Sequence, residues 1–401
     1  MAEAMNYIDR LVAELCPDGV EYRPLKEVTQ KVKSIKWDKS DGKQYEYIDL
    51  SSIPTGGFTI TETTAIDAQN APSRARQIIH AGDVLFGSTR PLLNRVAVVP
   101  AEYDGQICST GYSVIRVIDN LVLPSFVFHV LRSISFRTYV EQKQTGAAYP
   151  AITSKAVLEY LIPVPPLEIQ EAIIEILDKF TNLEAELEAE LEARTLQYKY
   201  YRDSLFEALD CPRVPLGSLG IRNKGIAITA SKMRTLEPGN KDVRIFAAGA
   251  TFVDTDSSFI PDKGILEGPA IIVKSRGHIG FEYYEGKFTH KNELWSYSLT
   301  SDLVEQKFIY YYLLTQAYYL HELARGKSVK LPQLAVKDTD ELLVPIPSLE
   351  EQQRIVDILD RFDALTSSLS EGLPAELAAR RSQYEYYRDQ LLTFPRKGEN
   401  Q

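Results

Sequence analysis

The sequence predicts an α+β protein built from two similar globular α/β modules. Two long helices, packed as an antiparallel coiled coil, separate the modules in a pseudo-two-fold circular arrangement. Two observations carry this. QYKYYRD at 197–203 returns as QYEYYRD at 383–389, and LIPVPPLEIQEAIIEILDKF at 161–180 matches LVPIPSLEEQQRIVDILDRF at 343–362 at 11 of 20 positions. Each copy also carries apolar residues at helical spacing over roughly 40 residues, a helix on the order of 60 Å and too long to fold within one compact core.

Taken in order, residues 1–18 hold an N-terminal helix over about 5–15, expected to dock near the end of the C-terminal helix. RLVAELCP there is similar to LFEALDCP after the first long helix, so the chain begins in the second half of a repeat. Residues 19–160 form the first module and 211–345 the second. Each opens on a Pro-Leu step after a Cys-Pro and holds an apolar strand running into a polar loop, DVLFGSTRPLLNRVAVV in one and AIIVKSRGHIGFEYY in the other. Aligning those strands brings Arg90 onto Arg276. Each module ends in an aromatic-rich helix followed by a Gly-containing segment, TGAAYPAIT or RGKSVKLPQL.

Residues 161–210 and 346–395 are the spacer helices, and 396–401 is a tail. Each spacer starts as a proline-rich extended stretch that cannot be helical inside. A stripe follows, Ile173, Leu177, Phe180, Leu183, Leu187, Leu191, Tyr198, Tyr201 and Leu205 in the first copy. In the second it is Ile355, Leu359, Phe362, Leu365, Leu369, Leu373, Leu377, Tyr384, Tyr387 and Leu391. A step of four residues drifts only about 40° around a helix, so the seam is narrow and flanked by glutamates. Gly372 and Pro374 predict a kink or short break in the second helix, with Pro374 restarting it.

The net charge of −10 over 401 residues argues against a nucleic-acid binder only if it is evenly spread. It is not: residues 161–210 hold 4 Lys+Arg against 12 Asp+Glu, whereas 16–160 hold 16 against 15 and 211–345 hold 17 against 15. The modules are near neutral and each has charge enough for a basic face. The three cysteines lack metal-ligand spacing and the five histidines are scattered, so no metal site is expected. No apolar run approaches the roughly 20 residues of a membrane helix, and a cytoplasmic protein is expected. RGKS at 325–328 fails as a phosphate loop because His321 stands where its first glycine belongs, and no nucleophile elbow, HExxH or dinucleotide fingerprint occurs.

These repeated blocks, PxPxLExQ…ILDKF and QYxYYRD around two dissimilar modules, resemble the specificity subunit of type I restriction-modification systems over essentially the whole chain. The resemblance implies that the modules are target recognition domains, each reading one half of a bipartite site in double-stranded DNA. It implies that the helices set the spacer and dock partners: two methyltransferase subunits using S-adenosylmethionine and two restriction/translocase subunits using ATP and Mg. No cofactor is expected in this chain, and no catalytic residue. The alternatives are a coiled-coil scaffold with two protein-binding modules, and a self-contained adenine methyltransferase, which the missing motifs disfavour.

Reading DNA needs bidentate side chains for base edges and cations for phosphates. Candidates in the first module are Lys36, Trp37, Arg74, Arg76, Ser88, Thr89, Arg90, Asn94 and Arg95, with Lys31, Lys33 and Lys39 nearby. In the second they are Lys224, Lys274, Ser275, Arg276, His278, His290, Lys291, Asn292, Arg325, Lys327 and Lys330, with Arg222 and Asn223. Arg90 and Arg276 rank first, each following a strand that reads as buried. In the heptapeptides Tyr198, Tyr201, Tyr384 and Tyr387 lie on the seam, while Tyr200, Arg202, Tyr386 and Arg388 lie off it and are assigned to partner binding.

Overall fold

The computed structural model describes residues 2–40, 42–236, 241–327, 331–368, 370 and 372–398. Its helices are, in chain order, α1 (Ala2–Leu15), α2 (Pro124–Leu131), α3 (Ile134–Lys143), α4 (Ser154–Leu158), α5 (Leu167–Glu207), α6 (Ala230–Arg234), α7 (Gln306–Gly326), α8 (Val336–Asp340), α9 (Leu349–Ser367) and α10 (Leu373–Leu391). The chain divides into two compact units, residues 1–188 with 377–401 and residues 189–376.

In unit 1 an antiparallel sheet has the order Thr29–Gln30, Tyr112–Val117, Val84–Gly87, Val96–Val98. A second sheet has the order Thr64–Ile66, Tyr45–Ile48, Ile107–Ser109, Ala75–Ile78, with its two middle strands parallel. Strand Val84–Gly87 is buried along its length. Its side chains alternate, as the pleat requires: Val84 and Phe86 join the helices around Phe126, Val130 and Phe136, and Leu85 joins Ile48, Ile53 and Ile79 on the other side. Each fully buried aliphatic of this kind contributes about 1.5–3 kcal/mol.

Unit 2 repeats this topology strand for strand. One antiparallel sheet runs Gly220–Lys224, Trp295–Leu299, Ala270–Lys274, Gly280–Tyr284; the other runs Phe252–Thr255, Val243–Phe246, Lys287–His290, Leu266–Glu267, again parallel in the middle. The proline-rich entries to the long helices are short strands in both units: Leu161–Pro163 pairs with Tyr22–Pro24, and Leu343–Pro345 with Arg213–Pro215.

The aromatic-rich helix of unit 1 is a correction to the sequence reading. It is two helices, because Ser133 leaves the helical region (φ −66, ψ 154) and its hydroxyl accepts from the Phe136 N–H, capping α3. Its counterpart α7 is continuous over 21 residues.

The long helices behave as a seam within each unit. In unit 1 Phe180 of α5 stacks on Tyr387 of α10 (centroids 5.7 Å, planes 28°), and further along α5 the Glu184 carboxylate meets Arg381 at 2.6 Å. Rising numbers on α5 meet falling numbers on α10, so the pairing is antiparallel. In unit 2 Tyr201 of α5 stacks on Phe362 of α9 at 5.7 Å and 28°. The ILDKF block of each copy thus packs against the tyrosine heptapeptide of the other. The second helix breaks between Ser367 and Leu373, with Pro374 in the first turn of α10; Leu369 lies outside the described residues.

The N-terminal helix α1 buries Ile8 and Leu11 in the cluster that holds Leu391, Leu392 and Phe394. Just beyond it Val20 donates to the Pro395 carbonyl at 2.8 Å and Lys397 donates back to Val20 at 3.0 Å. Only glycine fits at position 19 there: φ is +89, and a Cβ would lie 2.8 Å from the Arg396 backbone.

Candidate nucleic-acid interface

In unit 1 the buried strand Val84–Gly87 continues through buried Ser88 and half-buried Thr89 to Arg90, which is exposed. A second segment braces them: Ile152 donates to the Ser88 carbonyl at 2.9 Å, Thr89 forms a bridge with Ala151, and the Arg90 N–H donates to the Pro150 carbonyl at 2.7 Å. Beyond Arg90 a 3-10 turn, Pro91–Leu93, ends at Asn94. Among the described residues three non-glycines have positive φ, and two of them, Arg90 and Asn94, bracket this turn. Such backbone persists only where surroundings over-determine it. The Arg90 guanidinium lies over the ring of Tyr149, 4.8 Å from its centroid.

A second basic stretch of unit 1 lies close to this edge. Ile35 donates to the Arg76 carbonyl and Ile78 to Lys33, so the lysine-rich segment runs beside strand Ala75–Ile78. Lys36, Arg74 and Arg76 are exposed, and Trp37 is anchored through its indole N–H on the Ala75 carbonyl at 2.8 Å. Thr110 donates to the Arg74 carbonyl at 2.9 Å, while the next residue, Gly111, accepts from the Ser88 N–H at 2.8 Å. One dipeptide therefore ties the two basic segments together. Arg95 is half-buried, its Nη2 3.4 Å from the Thr55 hydroxyl.

In unit 2 strand Ala270–Lys274 delivers the equivalent edge. Leu334 donates to the Ser275 carbonyl at 2.8 Å, Arg276 bridges Gln333, and the Gly277 N–H donates to the Pro332 carbonyl at 2.9 Å. These bonds match Ser88 with Ser275, Thr89 with Arg276 and Arg90 with Gly277. The expected pairing of Arg90 with Arg276 is thus one residue out of register. The core agrees: Val84 and Phe86 face the helical side of their unit, as Ile271 and Val273 do in theirs.

Several expected contact residues are instead interior. The Ser88 hydroxyl bonds that of Ser113 at 2.7 Å. Lys274, 5% exposed, places Nζ 3.1 Å from Glu282 and 3.2 Å from the Ala247 carbonyl. Ser275 is buried and donates to the Glu293 carbonyl. His290 is fully buried, with Nε2 3.2 Å from Ser296, and burial pushes its pKa down to about 4. Lys291 is half-buried and paired with Glu293 at 2.7 Å, whereas Lys327 and Arg325 are exposed, the first paired with Asp338 and the second 3.9 Å from Glu322. Lys224, Arg276, His278 and Asn292 are exposed, and Lys330 lies outside the described residues. Each unit therefore keeps an exposed basic set, smaller than the sequence suggested. Tyr149, 70% exposed, was missed, although its place in the Gly-containing TGAAYPAIT segment was visible.

Of the heptapeptide residues, Tyr200 and Tyr386 project outward at 69% and 62% exposure. Arg202 is tied to Asp203 at 2.7 Å. Arg388 is a correction: it is 4% exposed, packed over the Tyr384 ring at 5.3 Å and paired with Asp389 at 2.8 Å, because it falls one helical turn after the seam residue Tyr384.

No helix among the described residues is long and apolar enough to cross a membrane. The family described as Type I restriction modification DNA specificity domain matches residues 17–193 and 250–379. The chain is 29% identical over 423 residues to the Type I restriction enzyme EcoR124I/EcoR124II specificity subunit of Escherichia coli, covering 98% of each. It is 28% identical to a putative type I restriction enzyme specificity subunit of Haemophilus influenzae, over 67% of this chain and 72% of that one. Among solved structures, a chain from work on complex assembly and conformational transition of the type I R-M system aligns with a TM-score of 0.60 and 26% identity, over 93% of this chain and 97% of that one. The S subunit from M. genitalium shares the fold, with a TM-score of 0.56 at 18% identity over 93% and 96%. The duplicated two-sheet units and long helices are therefore those of a known architecture, and this chain belongs to the family of type I restriction-modification specificity subunits, the non-catalytic DNA-recognition components of such systems.

Proposed function

We propose that each unit reads one half of a bipartite site in double-stranded DNA, with the long helices setting the spacer between the halves and docking two methyltransferase subunits. Two restriction/translocase subunits complete the assembly in the cytoplasm. S-adenosylmethionine serves the methyltransferase, and ATP with Mg serves the translocase. The observation that carries this reading is the duplicated edge. In both units a buried strand ends in a polar segment braced by a second one through the same three backbone links, and the side chains presented there differ. A shared scaffold with different edge residues is what two readers of two different sequences require. The exposed Tyr200 and Tyr386 are the residues assigned to partner docking, at equivalent places in the two heptapeptides.

The test is exchange of residues 19–160 for the corresponding module of a relative, in a host carrying the complete system. Sequencing of methylated adenines should show one half of the motif changed and the other kept. Simultaneous change of both halves would overturn the modular reading. Duplex binding by the assembled complex should also weaken steeply with salt, as phosphate neutralisation demands and a protein-binding scaffold does not.

A further inference from the structure

Arg90 at the edge of unit 1 is firmly held by its backbone, while its side chain is exposed. Its backbone is fixed in the left-handed region at φ 50 by the bond to Pro150. The segment that supplies Pro150 is itself closed, since Thr145 and Ala151 exchange backbone hydrogen bonds of 2.8 and 2.9 Å. Gly146 makes that closure possible: φ is +97, and a Cβ would meet the Tyr149 carbonyl at 2.9 Å. Arg90 and Tyr149 therefore stand on one small rigid ladder, the ring beneath the guanidinium. No carboxylate pairs with Arg90 among the described residues, in contrast to Lys274, Lys291 and Lys327.

A guanidinium stacked on an aromatic face keeps its charge and its in-plane N–H fork, and loses only the freedom to swing. Phosphate binding does not need that restriction, because a mobile cation serves. A fixed planar fork with unused donors is the arrangement that matches O6 and N7 of guanine. An aromatic ring left 70% exposed finds its use as the platform.

Unit 2 gives an internal control. Gly277 occupies the place of Arg90, donating to Pro332 as Arg90 donates to Pro150, and Leu331 precedes Pro332 as Tyr149 precedes Pro150. Both members of the pair are replaced together, as expected if neither is useful without the other.

We propose that Tyr149 is a positioning residue that holds Arg90 as a guanine reader, so the half-site read by unit 1 contains a guanine contacted through O6 and N7. This rests on the reading of unit 1 as a DNA-recognition module.

The experiment uses the complex assembled with its methyltransferase partner and the methylated motif it writes. Duplexes carrying 7-deazaguanine, which lacks the N7 acceptor, are tested at each guanine of that motif in turn. The wild-type complex should lose about tenfold or more in affinity at one guanine of the unit 1 half-site. Arg90→Lys and Tyr149→Ala should erase that sensitivity and leave the other half-site unaffected, and Tyr149→Phe, which keeps the ring face, should retain it. Tyr149→Leu, the side chain found at the equivalent place in unit 2, serves if Tyr149→Ala fails to assemble, and should behave as Tyr149→Ala does. Wild-type sensitivity in the Tyr149 variants would overturn the proposal. So would an Arg90→Ala complex that keeps its motif and loses only about one unit of salt slope, since that marks a phosphate contact. Absence of duplex binding by the wild-type complex would instead overturn the recognition reading on which this rests.

Discussion

Gln352 repeats in unit 2 the hydrogen bonds that Gln170 makes in unit 1. The Gln170 carbonyl oxygen accepts from the Leu123 N–H at 2.9 Å, and its amide donates to the carbonyls of Leu121 at 3.0 Å and Pro165 at 2.7 Å. Gln352 accepts from Glu305 at 2.8 Å and donates to Leu303 at 2.8 Å and Pro347 at 2.9 Å. Both side chains are fully buried. The repeated Leu-Glu-x-Gln is thus a clamp that ties the start of each long helix to the loop before α2 or α7.

Removing either clamp leaves an N–H and two carbonyls, most of them part-buried, without their partner, at up to about 1–3 kcal/mol per group. Gln170→Ala and Gln352→Ala should each destabilise the chain by about 3 kcal/mol or more. Gln→Glu at these places should also destabilise at neutral pH, because a carboxylate faces two carbonyl oxygens. Urea unfolding with both substitutions checks this. A loss under 1 kcal/mol for Gln→Ala would mean that water replaces the amide at no cost.

The duplicated helices, their proline-rich entries and the break near Gly372 were legible because period and proline chemistry are local. The register of the edge was not. Ser-Thr-Arg and Lys-Ser-Arg align convincingly on paper, and a slip of one residue reverses which side chains face the core. The backbone bonds to Pro150 and Pro332 settle it, and the core sides of Val84, Phe86, Ile271 and Val273 agree. Interior lysines and histidines escaped for a related reason. Lys274 and His290 look like surface cations until the strands bring Glu282 and Ser296 beside them. Arg388 escaped because its separation from Tyr384 places it on the buried side of α10.

Arg276 is exposed at the unit 2 edge with no aromatic ring beneath it among the described residues. It is expected to neutralise a phosphate. Arg276→Ala in the assembled complex should weaken binding to specific and unrelated duplexes alike and reduce the slope of log affinity against log salt by about one. The methylated motif should stay as it was. A relaxed base position in the unit 2 half-site, with an unchanged slope, would make Arg276 a base contact instead.

His290 makes the stability of unit 2 depend on pH. Burial depresses its pKa from 6.5 to about 4, so the folded chain holds it neutral while the unfolded chain takes up a proton below about 6.5. Its contribution is complete above pH 6.5 and is lost as pH falls towards 4, at about 1.4 kcal/mol per pH unit within that window. Carboxylates elsewhere titrate in the same range, so the measurement is a difference. Urea midpoints of the native chain and of His290→Asn are compared at pH 7, 6 and 5. The variant should be less stable at pH 7 and should fall less steeply. Parallel curves would place the pH dependence in other groups.

The tetrads Leu183–Glu186 and Leu187–Glu190 are a four-residue unit already in tandem within the unbroken 41 residues of α5. Leu183, Leu187 and Leu191 are half-buried while the intervening Glu186 and Glu190 are exposed. Four added residues lengthen a straight helix by about 6 Å and rotate its C-terminal portion by only about 40°, so the leucine face stays roughly in phase. B-DNA rises about 3.4 Å per base pair, so 6 Å is an upper bound of just under two pairs. If the helices set the distance between half-sites, inserting Leu-Glu-Ala-Glu after Glu190 should enlarge the central spacer of the methylated motif by one or two base pairs. Neither half-site should change. A three-residue insertion turns the helix by about −60° instead and should damage its packing, with loss of methylation. An unchanged spacer in an active four-residue insertion complex would show that α5 does not measure the distance.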